Sequence, residues 1–204
     1  MDGAKLGENI AREWSEEPQA PALWKALQLV KCDPHTGIEA LELLASDGSC
    51  LAKMYLGNMY LSGKHGVRQN LDVGEYWLRR SAEEGSIEGA YGLAWHLLNI
   101  GQTDAALAEY DRLSDLGYPP ALYILGVHFY NGEIVERNLS KALQYFLRGE
   151  AKGHFFAAKW ACRLQIRGEM GLCARFLSLA KMLALTPSFL RTVLTYPNSE
   201  RLRI

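Results

Sequence analysis

Apolar residues return at spacings of three and four over segments of about 12 residues, and polar turns bearing glycine interrupt the segments. That period is the signature of amphipathic helices, with no strict alternation long enough to suggest strands. The pattern also repeats at a larger scale. Residues 52–85, "AKMYLGNMYLSGKHGVRQNLDVGEYWLRRSAEEG", align with 121–153, "ALYILGVHFYNGEIVERNLSKALQYFLRGEAKG". Ala52, Leu56, Gly57, Tyr60, Gly63, Val67, Asn70, Leu71, Trp77 and Gly85 find Ala121, Leu125, Gly126, Phe129, Gly132, Val135, Asn138, Leu139, Tyr145 and Gly153.

Two further copies lie in register, one starting around Gly89, Leu93 and Ala94 with its turn shortened to "NIGQTD", the other around Ala157 and Cys162. A degenerate leading pair, "PALWKALQLVKCDPHTGIEALELLASDG", precedes them, and Thr36 with Glu39 suggests a capping box there. The small residue after each leucine (Gly57, Ala94, Gly126, with Cys162 in the last copy) marks a close helix approach. Gly48, Gly85, Gly117 and Gly153 suit the left-handed position that ends a helix. Each copy is thus an antiparallel helix pair too small to bury its apolar face alone, and stacking completes the core.

The expected fold is all-α, an α/α superhelix (solenoid) of about five antiparallel helix pairs with terminal capping segments. Its expected divisions are an extension over 1–19, a leading pair over 20–48, and repeats over 49–85, 86–117, 118–153 and 154–184. A cap and tail follow over 185–204, with Thr186-Pro187 opening a separate capping helix.

The motifs A-x-x-x-L-G-x-x-Y-x-x-G and K-A-x-x-W/Y-x-x-x-A-A-x-x-G are carried by Ala52…Gly63, by Lys141-Ala142…Tyr145 and by Trp77…Ser81-Ala82…Gly85. In these residues the chain resembles the Sel-1-like repeat family, relatives of the tetratricopeptide repeat, over about residues 49–184. The resemblance implies a non-enzymatic adaptor that binds another protein. Many relatives are bacterial and act in signalling, secretion, envelope assembly or host contact.

In such solenoids the first helix of each pair lines the concave face. Positions two before and two after the core leucine point to that groove: Met54 and Asn58, Tyr91 and Trp95, Tyr123 and Val127, Lys159 and Arg163. One turn on lie Tyr130, Asn131 and Arg167, and Trp24 takes the place in the leading pair. Trp, Tyr and Arg dominate binding hot spots, which makes this row the candidate partner-binding surface. Trp77, Phe129, Tyr145, Phe146 and Phe176 are assigned instead to the core.

Charge sharpens the picture. Residues 1–117 carry 10 Lys and Arg against 18 Asp and Glu, a balance of −8, whereas 148–204 carry 10 against 3, a balance of +7. That asymmetry can orient a partner.

Other chemistry finds little support. "LSGKHGVRQN" places Lys64 before Gly66 with no Ser or Thr behind it, so it is no phosphate loop, and the aligned turn lacks the lysine. The five histidines are scattered, and Cys32, Cys50, Cys162 and Cys173 show no metal-binding spacing, so neither metal nor cofactor is expected. Catalytic motifs are absent. The basic run Lys159, Arg163, Arg167, Arg175, Lys181 has few aromatics interleaved, which argues against nucleic acid. The start "MDGAKLGENIAREWSEE" does not read as a secretory signal, and no apolar run could span a bilayer. A reducing cytoplasm is therefore the expected location. The leading reading is an adaptor holding a partner segment, with a toxin that it neutralises or a signalling or secretion component as candidate partners. The alternatives are an enzyme or small-molecule binder with a pocket between repeats, and a self-assembling unit.

Overall fold

The computed structural model describes residues 8–167 and 172–195. Their elements are α1 (Glu8–Glu16), α2 (Ala20–Cys32), α3 (Pro34–Ser46), α4 (Cys50–Ser62), α5 (Leu71–Glu83), α6 (Ile87–Asn99), α7 (Thr103–Asp115), α8 (Pro119–Asn131), α9 (Leu139–Ala151), α10 (Phe155–Arg167) and α11 (Leu172–Thr195). No strand occurs among the described residues, and the fold is an all-α helical repeat. From α2 to α10 every helix has 13 residues, so equivalent positions can be counted from each helix start.

Closely packed small residues pair the helices antiparallel. A Cβ on Gly57 would stand 2.5 Å from Leu78 and 3.0 Å from the carbonyl of Gly74, while one on Gly74 would meet Leu61 at 2.6 Å. Gly126 repeats this against Phe146, at the position equivalent to Leu78. The small residue after the leucine is therefore where the second helix of the pair crosses. Phe146, Leu78, Leu125 and Leu56 are all buried there.

Each second helix leads to the next pair through a three-residue link whose middle residue is one of the four closing glycines. All four lie in the left-handed region, with φ from 75° to 99°. The turn inside a pair varies instead: one residue at Asp33, three at 100–102, eight at 63–70 and seven at 132–138. In the two long turns Asn70 and Asn138 cap the following helix, accepting from the N–H of Val73 at 3.1 Å and Lys141 at 2.9 Å.

Two local expectations change. The cap of α3 is Asp33, which accepts from Thr36 N–H at 3.4 Å and Thr36 Oγ1 at 2.6 Å. A charged acceptor directly before Pro34 outcompetes Thr36, which falls inside the helix. Likewise, no separate helix begins at Thr186-Pro187, because α11 runs through Pro187 to Thr195. Beyond the proline, Phe189 stacks on Phe155 at 4.1 Å, and that packing holds the chain helical despite the lost N–H.

The described chain gathers into two compact units, one from Asn9 to Glu109 and one from Tyr110 onward, the division falling within α7. In the first, α2, α4 and α6 are the leading helices of their pairs. In the second, α8 and α10 are, and Ala142, Phe146, Ala157 and Ala161 form the centre of its core.

Candidate functional site

In the unit spanning Asn9–Glu109, Trp24 is 42% exposed and Trp95 55% exposed, each on a leading helix. Asn58 is exposed too, with its amide donating to Met54 Sδ at 3.1 Å. Met54 departs from the expected row: its side chain is only 5% exposed and belongs to the core. Tyr91 is half-buried. Asn99 donates to the Trp95 carbonyl at 2.9 Å, which ties down the end of α6 beneath the exposed indole.

Alongside lies a feature with no counterpart in the sequence reading, the helix α1. Trp14 is buried with its ring edge against Trp24, centroids 6.3 Å apart, and its Nε1–H donates to Tyr55 Oη at 3.0 Å. Burial raises the Tyr55 hydroxyl's pKa, with smaller contributions from Glu88 and Glu13, so it stays protonated. Nothing periodic linked residues 8–17 to the repeats. Only Ile10 and Trp14, four residues apart in a mostly polar stretch, could have hinted at docking.

Behind these faces the unit holds an ion pair. Lys53, almost wholly buried, meets Glu84, and the Cys50 thiol also donates to Glu84 Oε2 at 3.4 Å. Burial pushes the Cys50 thiol up to about 11, helped by the adjacent Glu84, so it is a poor nucleophile at neutral pH. Cys32, Cys50 and Cys162 are free thiols.

The unit from Tyr110 onward gathers aromatics more densely. Tyr130 packs on Trp160 at 4.7 Å, and Trp160 stacks over Phe146 at 6.0 Å. Arg163 lies over the Trp160 ring at 4.9 Å and Arg137 over Tyr130 at 5.9 Å. Arg137 also donates to the Tyr130 carbonyl at 3.1 Å. The result is an aromatic pair bracketed by two guanidinium groups, a geometry in which cations and rings reinforce one another. Lys159, Arg163 and Asn131 are exposed. Trp160 and Arg137 were not among the expected site residues. Their signal was the position beside Ala161, and the residue before the capping asparagine.

Tyr123 is held more tightly than its expected role suggests. It stacks on buried His154 at 4.9 Å, lies near Phe146 and Phe156, and burial raises its hydroxyl's pKa against a hydrogen bond from Trp160. Of the residues assigned to the core, Phe146 is fully buried, Trp77, Phe129 and Tyr145 are half-buried, and the side chains of Phe176 and Arg167 lie outside the described residues.

Both units thus present rings and cations among their described residues. Among the described residues no three His, Cys, Asp or Glu side chains are close enough to share a metal ion, and no helix is long and apolar enough to cross a membrane.

Residues 51–86 and 119–154 match the Sel1 repeat family. A Sel1 repeat protein from Oxalobacter formigenes has a similar fold, with a TM-score of 0.67 at 17% identity over 87% of this chain and 79% of that one. A protective antigen of uropathogenic Escherichia coli displaying the SLR fold aligns with a TM-score of 0.61 at 17% identity, over 80% of this chain and 42% of that one. An immunity protein from Pseudomonas aeruginosa aligns at 20% identity over 92% of this chain and 86% of that one, with a TM-score of 0.46.

Proposed function

We propose, for this Sel1 repeat protein, the role of a non-enzymatic adaptor that holds a segment of another protein against its leading helices. Proteins of this repeat are in general protein-interaction scaffolds. The observation that carries the reading here is the exposure of Trp24 and Trp95, two large rings each left partly open to solvent on leading helices of one unit. Such rings are the usual anchors of an interface. In the other unit, Arg163 beside Trp160 supplies an anchor for an acidic or aromatic side chain. A rim cation of this kind acts more on association rate and orientation than on affinity.

The partner-binding set is Trp24, Asn58, Tyr91 and Trp95 in the first unit, and Tyr130, Asn131, Lys159 and Arg163, with Arg167, in the second. Unequal turns within the pairs fit a dedicated partner, such as a toxin or a signalling or secretion component, better than a general peptide receptor. Free thiols fit a reducing, cytoplasmic setting.

The test is affinity purification from the native host with the wild type and with Trp95→Ala and Arg163→Ala variants of matched melting temperature. Loss of one partner from either variant, with stability unchanged, is the expected result. A partner retained by both would move the interface elsewhere, and no partner in any sample would sink the adaptor reading.

A further inference from the structure

The helix α1 is not packed as an ordinary end cap. With the residue that follows it, it reaches the N-terminal turns of α4 and α6 by the same contact twice, and it meets α2 at Trp24. Ser86 caps α6 by accepting from Gly89 N–H at 3.0 Å, and its own hydroxyl donates to Glu13 at 2.8 Å. Ser49 caps α4 by accepting from Ala52 N–H at 3.1 Å, and its hydroxyl donates to Glu17 at 2.8 Å. Glu13 additionally receives the backbone N–H groups of Ile87 at 2.9 Å and Glu88 at 3.2 Å, the unpaired donors that begin a helix. Asn9 bridges Glu13 and Glu88 at 3.1 and 3.2 Å. Between the two carboxylates, Trp14 fills a notch walled by Trp24 and Tyr55.

The spacing explains the fit. Glu13 lies in the last two turns of α1 and Glu17 just beyond its end, so the two carboxylates, four residues apart, reach two successive leading helices. Ile10 and Trp14, also four apart, supply the buried apolar side. Among the described leading helices, α4 and α6 alone have serine caps. At the equivalent positions of the other unit stand Tyr118, which makes no side-chain cap, and His154, whose Nδ1 accepts from Ala157 N–H at 3.1 Å. A helix of nine residues is barely stable alone in water, so α1 persists through this docked face.

We propose that the N-terminal turns of α4 and α6, with Trp24 of α2, form a docking surface for an acidic, tryptophan-bearing helical segment, that α1 with Glu17 is its resident occupant, and that a partner segment of the same chemistry displaces it. This rests on the adaptor reading above and gives it a recognition code: carboxylates four residues apart on serine-capped helix starts, with an indole between them. Because α1 is tethered through only three residues, its local concentration is on the order of millimolar, and a competitor must overcome it. An unlatched chain therefore binds such a helix far better than a latched one.

The experiment uses a fluorescein-labelled peptide of residues 8–19, "ENIAREWSEEPQ", and the full chain. Fluorescence anisotropy is read with the wild type, with E13Q/W14A, and with E13Q/E17Q, which keeps the indole should the first variant fold poorly. Binding by the variants at least 10-fold tighter than by the wild type, and lost when the peptide's own tryptophan is replaced by alanine, is the expected result. Equal binding to all three chains, or indifference to the peptide's tryptophan, would overturn the proposal and leave α1 as a brace. If the peptide exchange fails while Trp95→Ala still loses a native partner, only the α1 proposal falls. Exchange that succeeds when no native partner is found supports the docking surface and removes the adaptor reading alone.

Discussion

Replacing Gly126 by alanine pits two effects of similar size against each other. Alanine improves helix propensity by about 1 kcal/mol over glycine. The added Cβ, however, would stand 2.5, 2.6 and 3.0 Å from three atoms of the Phe146 ring. Ordinary carbon contacts lie near 3.5–4.0 Å, so the ring must retreat by about 1 Å. It has nowhere to go, being fully buried with Trp160 stacked on it and Ala157 and Ala161 beside it. Overpacking of this kind costs about 1–3 kcal/mol, and no flexible side-chain end absorbs it here, so the upper part of that range applies. The net expectation is a loss of about 1–2 kcal/mol, a fall in melting temperature of roughly 2–8 °C for a chain of this length. Phe146→Ala alone should cost about 3–5 kcal/mol. In that background the clash is gone, and Gly126→Ala should stabilise by up to about 1 kcal/mol. Thermal unfolding by circular dichroism across the four chains closes the cycle, with a coupling on the order of 2 kcal/mol. A rise in melting temperature for Gly126→Ala alone, or the same change in both backgrounds, would refute the close-approach argument.

Further outcomes follow from other sites. His128 has its Nε2 buried without a hydrogen-bond partner, and burial lowers its pKa against the weaker pull of Glu133. Its folded form resists protonation, so stability is full above the unfolded value of about 6.5 and falls as pH drops below it. Urea denaturation between pH 7.5 and 5 should show a shallower decline for His128→Gln than for the wild type. At Glu84, burial acts upward, but hydrogen bonds from Lys53 and Cys50 and the charges of Lys53 and Arg80 bring the carboxyl below its ordinary value. Glu84→Ala should therefore destabilise by about 1–3 kcal/mol, less than a fully buried pair because Glu84 is a third exposed, while Lys53→Met costs less or nothing by the same assay. Asn138→Ala and Asn70→Ala should each lower stability by about 1 kcal/mol, measured by chemical denaturation, and Asn→Gly at either site much less.

The repeat was legible because it is written in few residues with firm steric duties. Glycine at 48, 85, 117 and 153 answers to a positive φ, and Gly57 and Gly126 answer to a crossing helix, so each leaves a mark that needs no neighbour to interpret. The exposed Trp95 and buried Phe146 followed from the same register. Met54 did not, since counting residues along a helix gives a direction but not how deep a neighbouring pair covers it. Trp160 and Arg137 escaped because their importance lies in meeting Tyr130 of α8 from other elements. Residues 8–17 escaped most completely. They are ordered by hydrogen bonds to helix starts distant in sequence, and a mostly polar segment of ten residues shows no period long enough to read. Pro187 misled in the opposite direction, because its local preference for ending a helix was overridden by the packing of Phe189.

The unequal distribution of loop lengths has a consequence for engineering. Links between successive pairs hold three residues at 47–49, 84–86, 116–118 and 152–154, whereas the described turns inside pairs range from one residue to eight. Length is thus a free variable at one end of each hairpin and a fixed one at the other. A loop carrying an epitope, a fluorophore site or a protease tag belongs after Lys64, in a turn that already differs by one residue from its counterpart. The same cargo placed beside Gly85 would shift the start of α6 and, with it, the serine on which α1 rests.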